Sequence, residues 1–486
     1  MSLNKKHLEL KTITMKLQFL LIFLFSITSQ IFATDLTIEN IRPINRPDID
    51  MPVSVIFDIS WKNSWNNDKN HDAVWVFMKF GGYFKNHVKI LPQGHQILKK
   101  RPTNLPDATI KVSPDGLGFF IYPQKNFRGN LNFKLQIMID VDAQKINRQK
   151  LQNMKVHGIE MVYIPQGNFT LGSPDKGAEK RAAFYRSDDE GKNIGLFQIN
   201  SEKAIEVGAK KDALYYWSKN KLYNGDQSGP IPDNFPKGYN DFYIMKYELT
   251  QGQYAIFLNN LYIDDTYRRS PIAGRDYYKK RGGIRIKDGK YVADNPNRPM
   301  NFVSFTDGLA FTDWAALRPI TELEYTKAAR GTSKPIPHEF VWGTDNYDQL
   351  ERYVNDKAEL ILANDWNENQ LTDQNRAVFG ASYYWVMDLS GSVWEKVITV
   401  GNETGRQFEG THGDGNLSFG EATNSDWPSS NDEKGGFGYR GGGYYEVGRS
   451  YEAYNPHSPI GYRYYGAWSG GPRSIAYGYR AGRSAN

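Results

Sequence analysis

Arg318-Pro319-Ile320-Thr321-Glu322-Leu323-Glu324-Tyr325 contains a helix start that is legible by itself. A threonine followed three residues later by glutamate is the pattern of a capping box. The Thr321 hydroxyl takes the Glu324 amide while the Glu324 carboxylate takes the Thr321 amide. The spacing predicts a helix over Glu322–Arg330 that stops at Gly331, a residue suited to closing a helix. Arg318 presents five donors in a rigid fork and is expected to bond backbone carbonyls or a carboxylate. Arg480 is expected to be a second internal clamp. Arg318, Glu324 and Arg480 read as scaffold rather than catalysis, because paired charges build networks as well as sites.

Upstream, Phe242–Leu249 reads as a strand. Thr250 then caps a helix over Gln251–Leu261, with Tyr254, Phe257, Leu258 and Leu261 on one face. Ser304 or Thr306 opens a further helix over Asp307–Ala316. The long polar stretch Lys176–Asn234 reads as an insertion with a helix around Asp212–Ser218. From Gly401 onward the chain is dense in Gly, Tyr, Ser and Asn, and helical periodicity disappears. Such irregular structure, pinned by aromatics, carries binding surfaces more often than cores.

Residues 36–150 have a different period. Val53, Val55, Phe57, Ile59 and Trp61 alternate with Ser54, Ile56, Asp58 and Ser60, the period of a strand. Ala73–Phe80, with Trp75 and Phe77 on one face, Gly116–Tyr122 and Leu131–Met138 are further strands. Short strands between Pro, Gly and Asn turns predict a small all-β sandwich over residues 34–150. Trp61, Trp65 and Trp75 are either a sugar-stacking platform or sandwich core, and large aromatics are mostly buried. The charged stretch Ala143–Val156 reads as a linker to a second domain over residues 157–486.

The chain has 486 residues, 40% hydrophobic and 14% aromatic, and its 60 basic and 54 acidic residues leave a net charge of +6. That mild, dispersed charge lacks the basic block of a nucleic-acid-binding tail and argues against a nucleic-acid partner. Lys11 and Lys16, the apolar run Leu17–Phe25 and Ala33 form an export signal, residues 1–33, with cleavage after Ala33. Met15 would serve equally as its start. A membrane anchor is the rival reading, but the run is short and polar from Ser26. Cleavage leaves no membrane span and an exported protein in the periplasm, at the cell surface or secreted.

Several motifs stand in order. They are Glu160-Met161-Val162-Tyr163-Ile164-Pro165-Gln166-Gly167, Lys246-Tyr247-Glu248-Leu249-Thr250-Gln251, Arg298-Pro299-Met300-Asn301-Phe302-Val303, Arg318–Gly331, Val341-Trp342-Gly343, Asp388–Glu395, Tyr439-Arg440-Gly441-Gly442-Gly443 and Gly478-Tyr479-Arg480. Together they resemble the formylglycine-generating enzyme (sulfatase-modifying factor) family over about residues 157–486. The resemblance implies an irregular α+β fold of C-type-lectin-like character, preceded here by the all-β segment.

The family's founding activity oxidises a cysteine in a target peptide, using two cysteines just after the R-G-G-S motif to hold copper. This chain has no cysteine at all. Carboxylates and phenols are poor ligands for monovalent copper, so no copper is expected. A second branch of the family uses iron held by histidines. The eight histidines here are scattered and form no H-x-x-x-H pair. The resemblance also implies a calcium site built from Asp388, the Gly391 and Val393 carbonyls, and Glu395. Hard oxygen donors around a tight turn suit that ion. Ser392 stands where the family has Asn. Asn355 is a candidate for a second site. The bland alternative is that Asp388 and Glu395 bond backbone amides.

Three short patterns fail as motifs. Gly436-Phe437-Gly438-Tyr439-Arg440-Gly441 matches G-x-G-x-x-G but reads as a turn. Asp365-Trp366-Asn367-Glu368-Asn369 lacks the glycine and terminal glutamate of a calcium loop. His338-Glu339 has no following histidine. The sequence therefore reads as an exported non-catalytic binding or structural protein. Its partner would be an envelope or extracellular protein or a glycan. The expected contact surface is Gly435–Arg463, with Tyr444, Tyr445, Tyr451 and Tyr454 either stacking on a ligand or pinning loops. The alternatives are an oxidoreductase of the same superfamily with different metal chemistry, or a glycan-binding module.

Overall fold

The main strands before residue 140 are β1 (Thr37–Ile44), β2 (Ser54–Asn66), β3 (Asp72–Phe80), β4 (Gln96–Lys100), β5 (Ala108–Val112), β6 (Phe119–Pro123) and β7 (Phe127–Met138). The later strands that build the large sheet and the site are β8 (Lys155–Ile164), β9 (Phe242–Met245), β10 (Arg318–Pro319), β11 (Trp394–Ile398), β12 (Phe437–Arg440), β13 (Tyr477–Gly478) and β14 (Ala481–Ser484). The computed structural model describes residues 36–45, 53–80, 86–141, 151, 153–274, 276–354, 360–362, 370–428, 435–443, 458–471 and 473–485. The fold is α+β, with more strand than helix. No helix among the described residues is long and apolar enough to cross a membrane.

Period two decides the β segment. On β2, Val55, Phe57, Ile59 and Trp61 are buried, while Ile56, Asp58 and Ser60 are only partly covered. Strand β3 is buried at every residue. Val74, Val76 and Met78 pack with Phe57, Ile59 and Phe133. Trp75 and Phe77 point the other way, into a core shared with Phe257, Phe311 and Trp314. A strand covered on both faces belongs in the middle of a layered structure, which is why its hydrophobic run is nearly continuous.

The four-stranded sheet runs β1-β2-β7-β4. The eight-stranded sheet runs β10-β14-β9-β8-β3-β6-β5, with Asn86–His87 paired to β3. The expected boundary near residue 150 therefore does not divide two sheets. Strand β8 pairs antiparallel with β3 from Asp72↔Val162 to Lys79↔Lys155, and on its other edge with β9. The backbone hydrogen bonds of β8 need partners on both sides, and only β3 supplies one of them. Side chains reinforce this junction. Lys246, buried just beyond β9, donates to Asp72 at 3.1 Å and Glu160 at 3.4 Å. Trp75 Nε1 donates to the Ala315 carbonyl at 2.9 Å. Residues 34–486 accordingly cluster as one unit. Most of the expected linker 143–156 lies outside the described residues.

Trp61, Trp65 and Trp75 are at most 2% exposed, so they are core and not a platform.

Three helices carry capping boxes. These are α1 (Gln251–Leu258, capped by Thr250), α2 (Phe305–Trp314, capped by Ser304) and α3 (Glu322–Arg330, capped by Thr321). Helix α1 stops before the expected Leu261, and α2 starts earlier than Asp307 because Ser304 is its cap. The helix expected at Asp212–Ser218 is instead a short strand, Leu214–Tyr215, paired to Tyr185–Ser187. Asp212 adopts φ 65° and its amide bonds the Ser187 carbonyl at 2.8 Å. A left-handed residue there turns the chain into an extended segment. The G-x-G-x-x-G stretch is likewise not a turn, since Phe437–Arg440 is strand β12.

Candidate functional site

Strand β11 is the axis of the site. It pairs antiparallel with β12 and parallel with β13. The turn before it contains three residues with positive φ: Asp388 (64°), Gly391 (89°) and Ser392 (59°). This turn is locked to the segment after β12 by the Gly391 amide, which bonds the Gly441 carbonyl at 2.8 Å. Gly441 itself has φ 89°, and a Cβ there would lie 2.8 Å from the Leu389 carbonyl oxygen. The first glycine of the Tyr439-Arg440-Gly441-Gly442 run is thus required by a left-handed backbone and a close approach.

The carboxylates around this turn are already engaged. Glu395, 1% exposed, accepts from Arg480 Nε at 2.9 Å on both oxygens and from Nη2 at 2.7 Å. Arg480 spends its remaining donors on the Met245 and Met387 carbonyls, each at 2.7 Å. The expected clamp role of Arg480 is therefore what the structure shows. Glu248 is the residue that sequence reasoning missed. It lies in the Lys246–Gln251 motif and is buried. It accepts from Ser392 Oγ at 2.7 Å and from the Val393 amide at 3.1 Å. Burial, then the charges of Asp388 and Glu395, push its carboxyl well above the usual range against the pull of Arg480. The substitution of Ser for Asn at 392 is accommodated by this bond.

For the implied calcium, Asp388 and the carbonyls of Gly391 and Val393 lie on the same turn. Glu395, by contrast, is held by Arg480, so it is not an uncommitted ligand. Among the described residues no three acidic or histidine side chains converge as a metal-holding group. Asn355 lies outside the described residues, as do Tyr444, Tyr445, Tyr451 and Tyr454.

Behind the turn, α3 anchors the domain. Arg318 bonds Glu324 in two places, 2.9 and 2.5 Å, and Glu324 also closes the cap by accepting the Thr321 amide at 3.0 Å. Arg330 pairs with Glu339 at 2.7 Å and bonds the carbonyls of Thr170 and Gly172. Glu322 receives Arg463 at 2.9 Å and Arg440 at 3.3 Å. These arginines tie α3 to segments distant in the chain through carboxylates and backbone carbonyls.

A cleft of about 880 Å³ opens close to β13, lined in part by Trp217, Tyr223, Tyr465, Trp468 and Tyr477. Its residues come from the insertion and from the Gly/Tyr-rich tail. Sequence reasoning had treated these segments separately, and no local pattern signals that they meet.

Residues 147–458 match the family model of the sulfatase-modifying factor enzyme 1-like domain. A formylglycine-generating enzyme from Thermomonospora curvata is 29% identical over 108 residues, 22% of this chain and 35% of that protein. The chain thus matches about a third of the length of that relative. The family model covers well over half of the chain, including α3, the turn at Asp388 and strand β11. By that match the chain belongs to the sulfatase-modifying factor family.

Proposed function

We propose that this protein is an exported, non-catalytic binding or structural member of the sulfatase-modifying factor family. Its scaffold would be a C-type-lectin-like α+β domain preceded by a small β-sandwich layer. The observation that carries the reading is the pairing of an intact scaffold with a missing nucleophile. The arginine clamps, capping boxes and Asp388 turn are all in place, yet the chain contains no cysteine to act as a thiolate or to hold monovalent copper. The segment that follows Gly443 offers tyrosine and glutamate where the resemblance implies thiols. Its partner would be an envelope or extracellular protein or a glycan.

The test is direct. Purified protein is incubated with copper and a cysteine-containing sulfatase peptide, and aldehyde is measured by hydrazine capture and mass spectrometry. No aldehyde above background is expected. Turnover would overturn the reading, as would stoichiometric iron or copper in the purified protein. Export is tested by N-terminal sequencing, with Thr34 expected as the first residue of the mature chain.

Calcium at the turn belongs to the same proposal. Its support is the charge balance at Glu248, where burial and the charges of Asp388 and Glu395 act against the guanidinium of Arg480. A divalent cation on Asp388 and the Gly391 and Val393 carbonyls would relieve the excess, with Glu395 contributing only through an oxygen shared with Arg480. Calcium at millimolar concentration is expected to raise the melting temperature by about 3 °C or more. Chelator should reverse the rise, and Asp388→Asn should abolish it. A melting curve indifferent to calcium would remove the ion from the account.

A further inference from the structure

The cleft near β13 is lined by exposed aromatic rings and by lysines, apart from the turn at Asp388. Trp217 is 40% exposed and Tyr464 43% exposed, so each offers a ring face to solvent. Trp468 is braced behind them. Its ring lies 5.5 Å from Tyr465, 5.4 Å from Tyr439 and 5.9 Å from Tyr223. Tyr464 packs edge-on against Tyr465 at 5.3 Å, so the floor of Trp468 and the Tyr464 ring are in place before any ligand arrives, which lowers the ordering cost of binding.

The charge of the lining has one sign. Lys180, Lys219 and Lys221 stand around the opening, and among the described residues no aspartate or glutamate lines it. All three lysines are exposed. The main chain of the tail side is already committed internally. The Tyr464 carbonyl accepts from Asn224 Nδ2 at 2.8 Å, the Tyr465 carbonyl from the Tyr439 amide at 2.9 Å, and the Ala467 amide bonds the Tyr223 carbonyl at 3.0 Å. A peptide that binds by adding a strand is held by main-chain hydrogen bonds to a free edge, and these groups are not available for that. What remains is a set of flat aromatic faces beside exposed ammonium groups. The volume of about 880 Å³ falls within the range that encloses a small ligand, roughly 300–1,000 Å³.

We infer that this cleft binds an anionic oligosaccharide, with pyranose faces on Trp217 and Tyr464 and the acidic substituents toward Lys180, Lys219 and Lys221. The inference rests on the binding reading above and names the ligand class for it. The acidic substituent is a uronate carboxylate or a sulfate ester, and both present the same charge to the lysines. A sugar ring stacks its apolar C–H face on an aromatic side chain, while Lys acts as a point charge without demanding a planar partner.

The experiment measures binding by calorimetry to an oligogalacturonate hexamer and to a heparin hexasaccharide. A neutral cello-oligosaccharide of the same length and a hexaglutamate peptide are the comparison ligands. At least one acidic glycan is expected to bind at least about tenfold more tightly than both comparison ligands, equivalent to ~1.4 kcal/mol. Which one binds identifies the acidic group. Trp217→Ala and, separately, Lys219→Glu with Lys221→Glu are each expected to weaken that binding about tenfold or more. All three positions are exposed, and an unchanged melting temperature verifies that the variants are folded. The inference fails if neither acidic glycan binds. It also fails if hexaglutamate binds as tightly, or if Trp217→Ala leaves glycan affinity unchanged, since charge alone would then explain the result. These failures are distinct from failure of the non-catalytic reading, which only aldehyde formation or a bound redox metal would overturn.

Discussion

Glu322→Gln is expected to destabilise the folded chain by about 3–5 kcal/mol, the cost of breaking a buried ion network by removing one partner. Glu322 is fully buried, as are Arg463 and Arg440 around it. Every neighbour of its carboxylate is a donor. One oxygen accepts from Thr399 Oγ1 and the Val400 amide at 3.0 Å and from Arg463 Nη2 at 3.1 Å. The other accepts from Arg463 Nε at 2.9 Å and Arg440 Nη1 at 3.3 Å. Glutamine would turn an NH₂ group toward donors and leave two guanidinium groups without a counter-charge. Burial alone would raise the Glu322 carboxyl, but Arg463 and Arg440 outweigh it and hold the group below its ordinary value.

Replacing Arg463 should be nearly as costly, because its fork also holds the Asn224 carbonyl at 3.1 Å and it lies 4.3 Å over the Phe184 ring. The double variant Glu322→Gln/Arg463→Met is expected to lose clearly less than the sum of the two single losses, since each single change strands the other partner. Urea unfolding with constant m-value reads all three. A loss under about 1 kcal/mol for Glu322→Gln would mean that water reaches this network.

The second large effect is a dependence of stability on pH. Lys79 is 1% exposed on β3 and donates to the Gly415 carbonyl, with the Trp314 ring 5.5 Å away. Burial pushes its ammonium down to about 7, against the attraction of Asp313 and Asp414. His87 also faces it, and burial holds that imidazole neutral. In the unfolded chain Lys79 titrates near 10.5, so between pH 7 and 10.5 the unfolded state binds more protons than the folded one. Stability should therefore rise with pH across that window and be reduced at pH 7 and below.

The span corresponds to about 3–5 kcal/mol at roughly 1.4 kcal/mol per unit. Lys79→Met should be more stable than the parent at pH 7, and the advantage should vanish by pH 10. Asp313, pushed up to about 6 by burial and by Asp414, acts in a separate window. There the folded state binds more protons between about 4 and 6, so its contribution is lost as pH rises through 6. Parallel urea midpoints for parent and variant from pH 7 to 10 would show that Lys79 carries no such linkage.

The helix at Glu322–Arg330 was legible because capping is local. Thr321, Glu324 and Gly331 lie within eleven residues, and their bonds form within one turn. The alternation along β2 was legible for the same reason, since a period needs only the strand itself. The Arg480 clamp was expected in kind, but its partner Glu395 is 85 residues away and nothing local pairs them. Glu248 escaped notice because its amide and hydroxyl donors, Val393 and Ser392, arrive from the turn before β11, about 145 residues away.

One sheet spans the position near residue 150 for a physical reason. A change of composition marks where a segment becomes charged, not where hydrogen bonding stops. Strand β8 begins within that charged stretch and pairs with β3 across it. The family, the lack of any cysteine and the capped helices follow from the order and kinds of residues alone. The joining of the β segment to the family domain, the buried ion networks and the lysine-rimmed aromatic cleft follow only from the fold. Each depends on side chains far apart in the chain being brought within contact distance, and short-range pattern holds no record of that.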